Sequence, residues 1–304
     1  MNAQTYYSNG KLLLSGEYVI LDGAKGLALP TRFGQSLHVV ELPTETLSWA
    51  SIDEKGETWF KAAYELPTLK LRAFSDKEKA EKLKQILLGA KKLNPTFLGN
   101  SQGYSIETKL GFPTDWGLGS SSTLINNIAQ WASVDAHELL WNSFGGSGYD
   151  ISCAQHDTPI LYQLNSGKPM VTPTVFDPPY KEELYFIHLN KKQDSRKAIA
   201  NYRNKQFDKT TLVAKITSIT EKMLLAEGVD ALESLIVAHE RLLSEVLEME
   251  PIKEKFKDYF GAIKSLGGWG GDFVLVTGNE KTPDYFKARG FTTVIPYQEM
   301  ILNS

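Results

Sequence analysis

The stretch Pro113-Thr-Asp-Trp-Gly-Leu-Gly-Ser-Ser-Ser-Thr123 decides the fold, because it runs from a strand-like segment through two glycines into a helical pattern. Glycines let the backbone approach an anion, and the first N–H groups of a helix have no partners within that helix. Together with the helix dipole they form an anion site. The spacing matches neither the common P-loop nor the dinucleotide fingerprint. The stretch therefore predicts a different phosphate loop, and a serine-capped helix after a flexible turn is the alternative.

Three more segments carry motifs that occur together in one superfamily. They are Ser-Asn-Gly-Lys-Leu-Leu-Leu-Ser-Gly-Glu-Tyr-Val-Ile at 8–20, Gly-Gly-Ser-Gly-Tyr-Asp-Ile-Ser at 145–152 and Lys-Ser-Leu-Gly-Gly-Trp-Gly-Gly-Asp-Phe-Val at 264–274. The first and last, with Gly-Leu-Gly-Ser-Ser between them, resemble the three motifs of the GHMP kinases (galactokinase, homoserine kinase, mevalonate kinase and phosphomevalonate kinase). The segment 145–152 resembles the catalytic segment of the mevalonate-kinase branch, in particular a subgroup named for Gly-Tyr-Asp-Ile-Ala. The resemblance covers nearly the whole chain.

This resemblance implies an α+β fold of two domains with the active site in the cleft between them. Residues 1–165 would form an N-terminal α/β sandwich domain that carries the ATP cradle, and residues 166–304 a C-terminal ferredoxin-like domain. The hydrophobic pattern by itself also favours α+β, because strands and long helices are segregated along the chain. It predicts helices over 76–93, 121–132, 135–143, 211–226 and 230–249, and strands over 103–109, 184–189 and 273–277.

Composition narrows the class of protein. The 304 residues suffice for two domains that each bury a core, and a net charge of −3 argues against a nucleic-acid-binding protein. We see no apolar run of membrane-spanning length and no signal-peptide pattern, so we expect a cytoplasmic protein with no membrane partner. The single cysteine, Cys153, is expected in the core. We expect a monomer or homodimer that acts on a small-molecule acceptor.

The resemblance implies ATP and Mg²⁺ as cofactors. It assigns the phosphate cradle to six consecutive residues: Gly117, Leu118, Gly119, Ser120, Ser121 and Ser122. Ser121 matches the family serine whose hydroxyl approaches Mg²⁺. Glu138, twelve residues before Asp150, is the candidate for the family's carboxylate ligand, although its spacing differs by about one residue. A solvated surface glutamate is the alternative.

Two residues are candidates for the chemistry itself. Lys11 stands where the first motif has its lysine, and a cation beside the acceptor hydroxyl stabilises the alkoxide. Asp150 matches the catalytic aspartate that accepts or orients the hydroxyl proton. The alternative for Asp150 is a cap of the helix that begins at Ile151.

The expected substrate contacts are less specific. Glu17 and Tyr18 stand where mevalonate kinase has glutamate and histidine, and Tyr18 could instead belong to the core. Ser195 and Arg196 lie in a basic segment after the strand at 184–189, where a solvated turn is the alternative. The glycine-rich motif is expected to form a tight turn that packs against the serine loop. Its Trp269 either stacks on a base or fills a hydrophobic gap.

Two departures from the family pattern bear on the nucleotide pocket. Asp115-Trp116 replaces small residues before Gly-Leu-Gly, and Ser122-Thr123 replaces alanines after the second serine.

The leading hypothesis is a kinase that transfers the γ-phosphate of Mg-ATP to a hydroxyl or phosphate of a mevalonate-like acceptor. One alternative is an enzyme like diphosphomevalonate decarboxylase, which would release carbon dioxide. The other is a catalytically inactive nucleotide- or metabolite-binding relative.

Overall fold

Helices and strands account for most of the chain in the computed structural model, which describes residues 3–192 and 195–302 without the side chains of Ser195 and Arg196. The strands are β1 Ala3–Ser15, β2 Gly26–Leu42, β3 Thr46–Ile52, β4 Thr58–Glu65, β5 Lys70–Phe74, β6 Gly103–Leu110, β7 Ile160–Asn165, β8 Lys168–Pro173, β9 Leu184–His188, β10 Ile263–Ser265, β11 Phe273–Thr277 and β12 Val294–Pro296. The helices are α1 Lys77–Leu93, α2 Ser120–Ala132, α3 Ala136–Ser143, α4 Tyr149–Ala154, α5 Ser195–Arg203, α6 Lys209–Leu224, α7 Val229–Leu247, α8 Thr282–Lys287 and α9 Tyr297–Met300. Within these described ranges, no helix combines the length and the apolar character needed to cross a bilayer.

The chain divides into two units, and the first comprises residues 3–10, 33–114 and 119–155. Its sheet pairs the second half of β2 with β6 in antiparallel register, and β6 with β3 in parallel. Strands β3, β4 and β5 then follow as an antiparallel meander. Apolar residues alternate along these strands, so one face of the sheet is buried.

Three helices of the first unit, α1, α2 and α3, share its hydrophobic core with the sheet. Helix α1 turns a buried stripe formed by Leu83, Ile86, Leu87 and Ala90 toward this core, at helical spacing. The Asp76 carboxylate accepts from the Lys79 N–H and caps its start. The core thus fixes α2, whose N-terminus is the predicted phosphate loop.

The second unit comprises residues 11–32, 115–118, 156–192 and 195–302. It contains a four-stranded antiparallel sheet in the order β10-β11-β9-β12, together with helices α6 and α7. Strand β11 is buried along its whole length, as its unbroken apolar sequence leads one to expect. The first residues of β2 pair with β7, and β7 pairs with β8.

The α+β class predicted from the sequence is confirmed. After β1 the chain forms a 3₁₀ turn, Val19–Asp22. Gly16 and Gly23, both with positive φ, bracket this turn and end the extended backbone. The domain boundary near residue 165 remains a prediction. The two units interleave along the chain, since 11–32 group with the later residues.

Candidate active site

The N-terminus of α2 has the properties of an anion site. Gly119 precedes the helix in a left-handed conformation, with φ of 89° and ψ of 36°, and no side chain caps the helix. No acidic residue stands in the first turn. Ser120 is half-buried, Ser121 is exposed and Ser122 is buried. A phosphate would therefore meet backbone N–H groups and the positive end of the helix dipole.

Buried amides hold α2 in place within the first unit. Asn127 Nδ2 donates to the carbonyl of Gln35 over 2.9 Å, and Asn126 Nδ2 donates to the hydroxyl of Ser8 over 2.8 Å. On α4's side, Gln155 Nε2 donates to Asn126 Oδ1 over 3.0 Å. Buried polar groups with satisfied hydrogen bonds favour a single arrangement, so this network contributes to holding α2 in place and links it to the C-terminal end of α4.

Asp150 lies in the first turn of α4 and faces α2. Helix α4 begins at Tyr149 with Gly148 as its N-cap, so Asp150 is not the capping residue. Its Oδ1 accepts the N–H of Ile151 over 3.2 Å, while its Oδ2 accepts the hydroxyl of Ser122. The candidate catalytic carboxylate is thus oriented by the phosphate loop's own helix.

Helix α3 presents a histidine, rather than Glu138, to α4. Glu138 is exposed, and its backbone N–H donates to Asp135 Oδ1 over 2.8 Å, as the predicted cap requires. The neighbouring His137 lies 2.8 Å from the hydroxyl of Ser152 through Nε2. Burial lowers the pKa of His137, so the ring is neutral at pH 7. Glu138 as a metal ligand remains a prediction. No motif in the sequence pointed to His137, whose contact with Ser152 depends on the packing of α3 against α4.

In the second unit, Lys11 binds the glycine segment that precedes α2. Its Nζ donates to the carbonyl of Gly117 over 3.1 Å, and its backbone N–H donates to the carbonyl of Leu118 over 3.0 Å. Two predicted site residues, the lysine of the first motif and the first glycine of the loop, are therefore in direct contact. The lysine also places positive charge beside the loop.

The glycine-rich turn of the last motif packs against the same segment. Gly117 has φ of +69°, and a Cβ there would lie 2.7 Å from Cγ of Asp272. Asp272 itself has φ of 51°. Asp272 of the last motif is thus in contact with Gly117, which has no room for a side chain. The packing of the glycine turn against the serines of the loop remains a prediction.

The bulky pair Asp115-Trp116 is accommodated by the second unit's sheet. The Trp116 ring meets Phe273 edge to face, with centroids 5.4 Å apart. His188 Nε2 lies 3.2 Å from the carbonyl of Asp115. The tryptophan is therefore anchored on β9 and β11 by aromatic packing.

Glu17 lies in a buried charge cluster with His239, Glu240 and Lys264. Its Oε1 accepts Lys264 Nζ over 2.6 Å, and its Oε2 is 3.2 Å from His239 Nε2. All four side chains are at most 3% exposed. Burial raises the pKa of Glu17, but the positive charge of Lys264, with His239 close by, more than offsets this and lowers the pKa to about 2. Glu17 is therefore ionised and paired.

Tyr18 is also buried, and it supports the glycine-rich turn. Its hydroxyl oxygen accepts the N–H of Trp269 over 3.0 Å, and its ring stacks on Tyr202 with centroids 5.6 Å apart. Trp269 is 4% exposed and packs in the same hydrophobic cluster. Trp269 thus fills a hydrophobic gap, which was the alternative to stacking on a base. Substrate contacts by Glu17 and Tyr18 remain predictions.

Two further residues were predicted to contact the substrate, Ser195 and Arg196. They begin α5, and their side chains lie outside the described part of the chain.

A magnesium site was predicted as well. Among residues 3–192 and 195–302, no three His, Cys, Asp or Glu side chains form a metal-binding group. A magnesium ion that is bound to ATP needs only one or two carboxylate ligands from the protein, because the phosphates and water supply the others. The uncapped helix, the exposed Ser121 hydroxyl and Asp150 fit such a complex.

Comparison with solved structures places the fold. No protein-family model and no curated protein sequence matches the chain. The Methanococcus jannaschii mevalonate kinase superposes with a TM-score of 0.68 at 13% identity, over 96% of each chain. The Lactococcus lactis galactokinase complexed with galactose gives 0.69 at 14% identity, over 100% of this chain and 94% of that one.

A third solved structure, also of a kinase, is similar over nearly the whole chain. The Streptococcus pneumoniae phosphomevalonate kinase in complex with phosphomevalonate and AMPPNP gives a TM-score of 0.68 at 14% identity, over 99% of this chain and 98% of that one. This chain therefore has the fold of the GHMP kinases along nearly its whole length. The α+β fold class that the sequence motifs imply is confirmed, while the domain bounds and the cleft between the domains remain predictions.

Proposed function

We propose that this protein is a GHMP-type kinase that transfers the γ-phosphoryl group of Mg-ATP to a small-molecule acceptor. The observation that carries the proposal is Asp150. Its carboxylate is held by Ser122 in the first turn of α2, whose uncapped N-terminus is an anion site. A carboxylate fixed beside a phosphate site is what hydroxyl activation in phosphoryl transfer requires.

Each residue has a separate task in this proposal. The backbone of 117–122 binds the phosphates, and Asp150 accepts the proton of the attacking hydroxyl. Lys11, which binds the carbonyl of Gly117, supplies positive charge next to the loop. ATP with Mg²⁺, when bound, supplies the phosphoryl group and neutralises its charge, with Ser121 and Glu138 as the proposed metal contacts.

We propose a mevalonate-like acid as the acceptor class. The support is the Gly-Tyr-Asp-Ile segment at 148–151, which resembles the mevalonate-kinase branch. Two of the similar structures also bear mevalonate-related names, and one of them contains phosphomevalonate. The galactokinase is equally similar in fold, so the acceptor has to be identified by experiment.

The test is ADP release from Mg-ATP with mevalonate, phosphomevalonate, diphosphomevalonate, homoserine and galactose, run beside Asp150→Asn. We expect one acceptor to give turnover and the variant to lose at least about 100-fold of it. Asp135→Asn is the matched control, because asparagine also caps helices and Asp135 caps α3.

Each outcome of the panel has a distinct reading. Acceptor-dependent turnover that persists in Asp150→Asn would show that Asp150 does not accept the proton of the attacking hydroxyl. Turnover accompanied by carbon dioxide with diphosphomevalonate would identify a decarboxylase. Binding of ATP without ADP release for any acceptor would contradict the proposed function in favour of a binding protein.

A further inference from the structure

Ser122 occupies a position where the family pattern has alanine, and its hydroxyl is directed to the candidate catalytic aspartate. Ser122 is 4% exposed and donates to Oδ2 of Asp150. The other carboxylate oxygen, Oδ1, accepts the N–H of Ile151 over 3.2 Å. Both oxygens of the carboxylate are thus engaged by named donors, one on α2 and one on α4.

We propose that Ser122 is a positioning residue for Asp150, and that its hydroxyl fixes the carboxylate in the orientation that accepts the acceptor's proton. The proposal rests on the proposed kinase function. A free carboxylate rotates about its Cβ–Cγ bond, and a charge-assisted hydrogen bond to one oxygen selects one rotamer. Proton transfer depends steeply on that geometry, because the base must lie within hydrogen-bonding distance of the hydroxyl.

The hydrogen bond is not needed to hold the two helices together. Gln155 Nε2 donates to Asn126 Oδ1 over 3.0 Å, which joins the other end of α4 to α2 independently of Asp150. Ile151 packs in the hydrophobic core with Ile125 of α2. Removing the Ser122 hydroxyl therefore leaves the carboxylate held only by the N–H of Ile151, over 3.2 Å, and leaves the helices docked.

Ser122→Ala tests this, since alanine is small and favours helix. With the acceptor identified above, we expect kcat to fall about tenfold, while KM for ATP changes less than about twofold. In the Asp150→Asn background the same substitution should cause no further loss in kcat, because no carboxylate remains to orient. This cycle is the readout that a merely structural role would not produce.

Two control variants separate positioning from stability. Gln155→Leu removes the other α2–α4 hydrogen bond and should lower the melting temperature without a tenfold fall in kcat. Ser143→Ala removes a buried hydroxyl whose oxygen has no hydrogen-bond partner in the described part of the chain, and should change neither. A fall in kcat for Gln155→Leu equal to that for Ser122→Ala would overturn the proposal.

The failure of this inference is distinguishable from failure of the proposed function. If Asp150→Asn abolishes turnover and Ser122→Ala keeps wild-type kcat, the kinase assignment stands and the positioning role is wrong. Equal tenfold losses for Ser122→Ala with and without the Asp150 carboxylate would also refute the positioning role. If the wild-type chain releases no ADP with any acceptor, both fail together.

Discussion

Gly117 is the residue at which the lysine motif, the serine loop and the glycine-rich turn meet. Its carbonyl accepts Lys11 Nζ, and its Cα faces the carboxyl group of Asp272. Only glycine adopts its φ of +69° without strain and leaves room for that carboxyl group. One position thus combines a conformational and a steric requirement.

Gly117→Ala should destabilise the protein by about 3 kcal/mol, because backbone strain and overlap with Asp272 add. The measurement is urea unfolding at equilibrium. Gly290→Ala is the control from the same unit: its φ is +88° and a Cβ there meets nothing within 4 Å. We expect it to cost about 1 kcal/mol, from strain alone. Equal losses for the two variants would show that contact with Asp272 is not tight.

At the scale of elements, the buried charge cluster joins the first motif to α7 and β10. Lys264 of β10 is 0% exposed and pairs with Glu17, while Glu240 of α7 accepts from the N–H of Ser265 over 3.0 Å and from its hydroxyl over 3.2 Å. The carboxylate of Glu240 therefore holds β10 from the helix side. The strand ends at Ser265, two positions before Gly267, the first glycine of the glycine-rich turn (residues 267–272).

Lys264→Met should cost about 3–5 kcal/mol of unfolding free energy, because it leaves the Glu17 carboxylate buried without its cation. Chemical denaturation measures this, and adding Glu17→Gln should recover part of the loss. Lys257→Met, which breaks the exposed pair with Glu254, should change stability by less than about 0.5 kcal/mol. A loss below 1 kcal/mol for Lys264→Met would contradict the described pairing.

Elements with a strong local pattern could be predicted from the sequence. Strand β11 runs over 273–277 as predicted, and α1 begins after the cap residue Asp76. The buried charge cluster could not be predicted, because Lys264 and Glu17 are 247 positions apart and a lysine in a short strand usually reads as exposed. Likewise the resemblance of residues 145–152 to a family motif makes Asp150 a candidate, but only the packing of α4 on α2 reveals Ser122 as its hydrogen-bond partner.

At the scale of the whole molecule, the buried cluster makes stability depend on pH. Burial raises the pKa of Glu240 to about 7. The positive charge of Lys264 lowers this pKa in part, and the negative charge of Glu17 raises it. Its folded pKa lies above the unfolded one, so its contribution is fully present below about pH 4.5 and is lost as the pH rises through 7. Burial lowers the pKa of His239. The contribution of His239 to stability is therefore fully present above about pH 6.5 and is lost as the pH falls below that value.

Glu240→Gln isolates the first of these groups, since glutamine keeps an acceptor for the Ser265 N–H. The unfolding free energy of the variant minus that of the wild type should rise by up to about 3 kcal/mol between pH 4.5 and 8. Urea unfolding across this range measures it. A difference that does not vary with pH would mean that Glu240 titrates alike in the folded and unfolded chain.

The interleaving of the two units has a consequence for the order in which the protein can be built. Residues 11–32 leave the ribosome early, yet Glu17 and Tyr18 find their partners on α5, α7, β10 and the glycine-rich turn, all synthesised much later. We therefore expect the second unit to fold only after β10 and β11 have emerged.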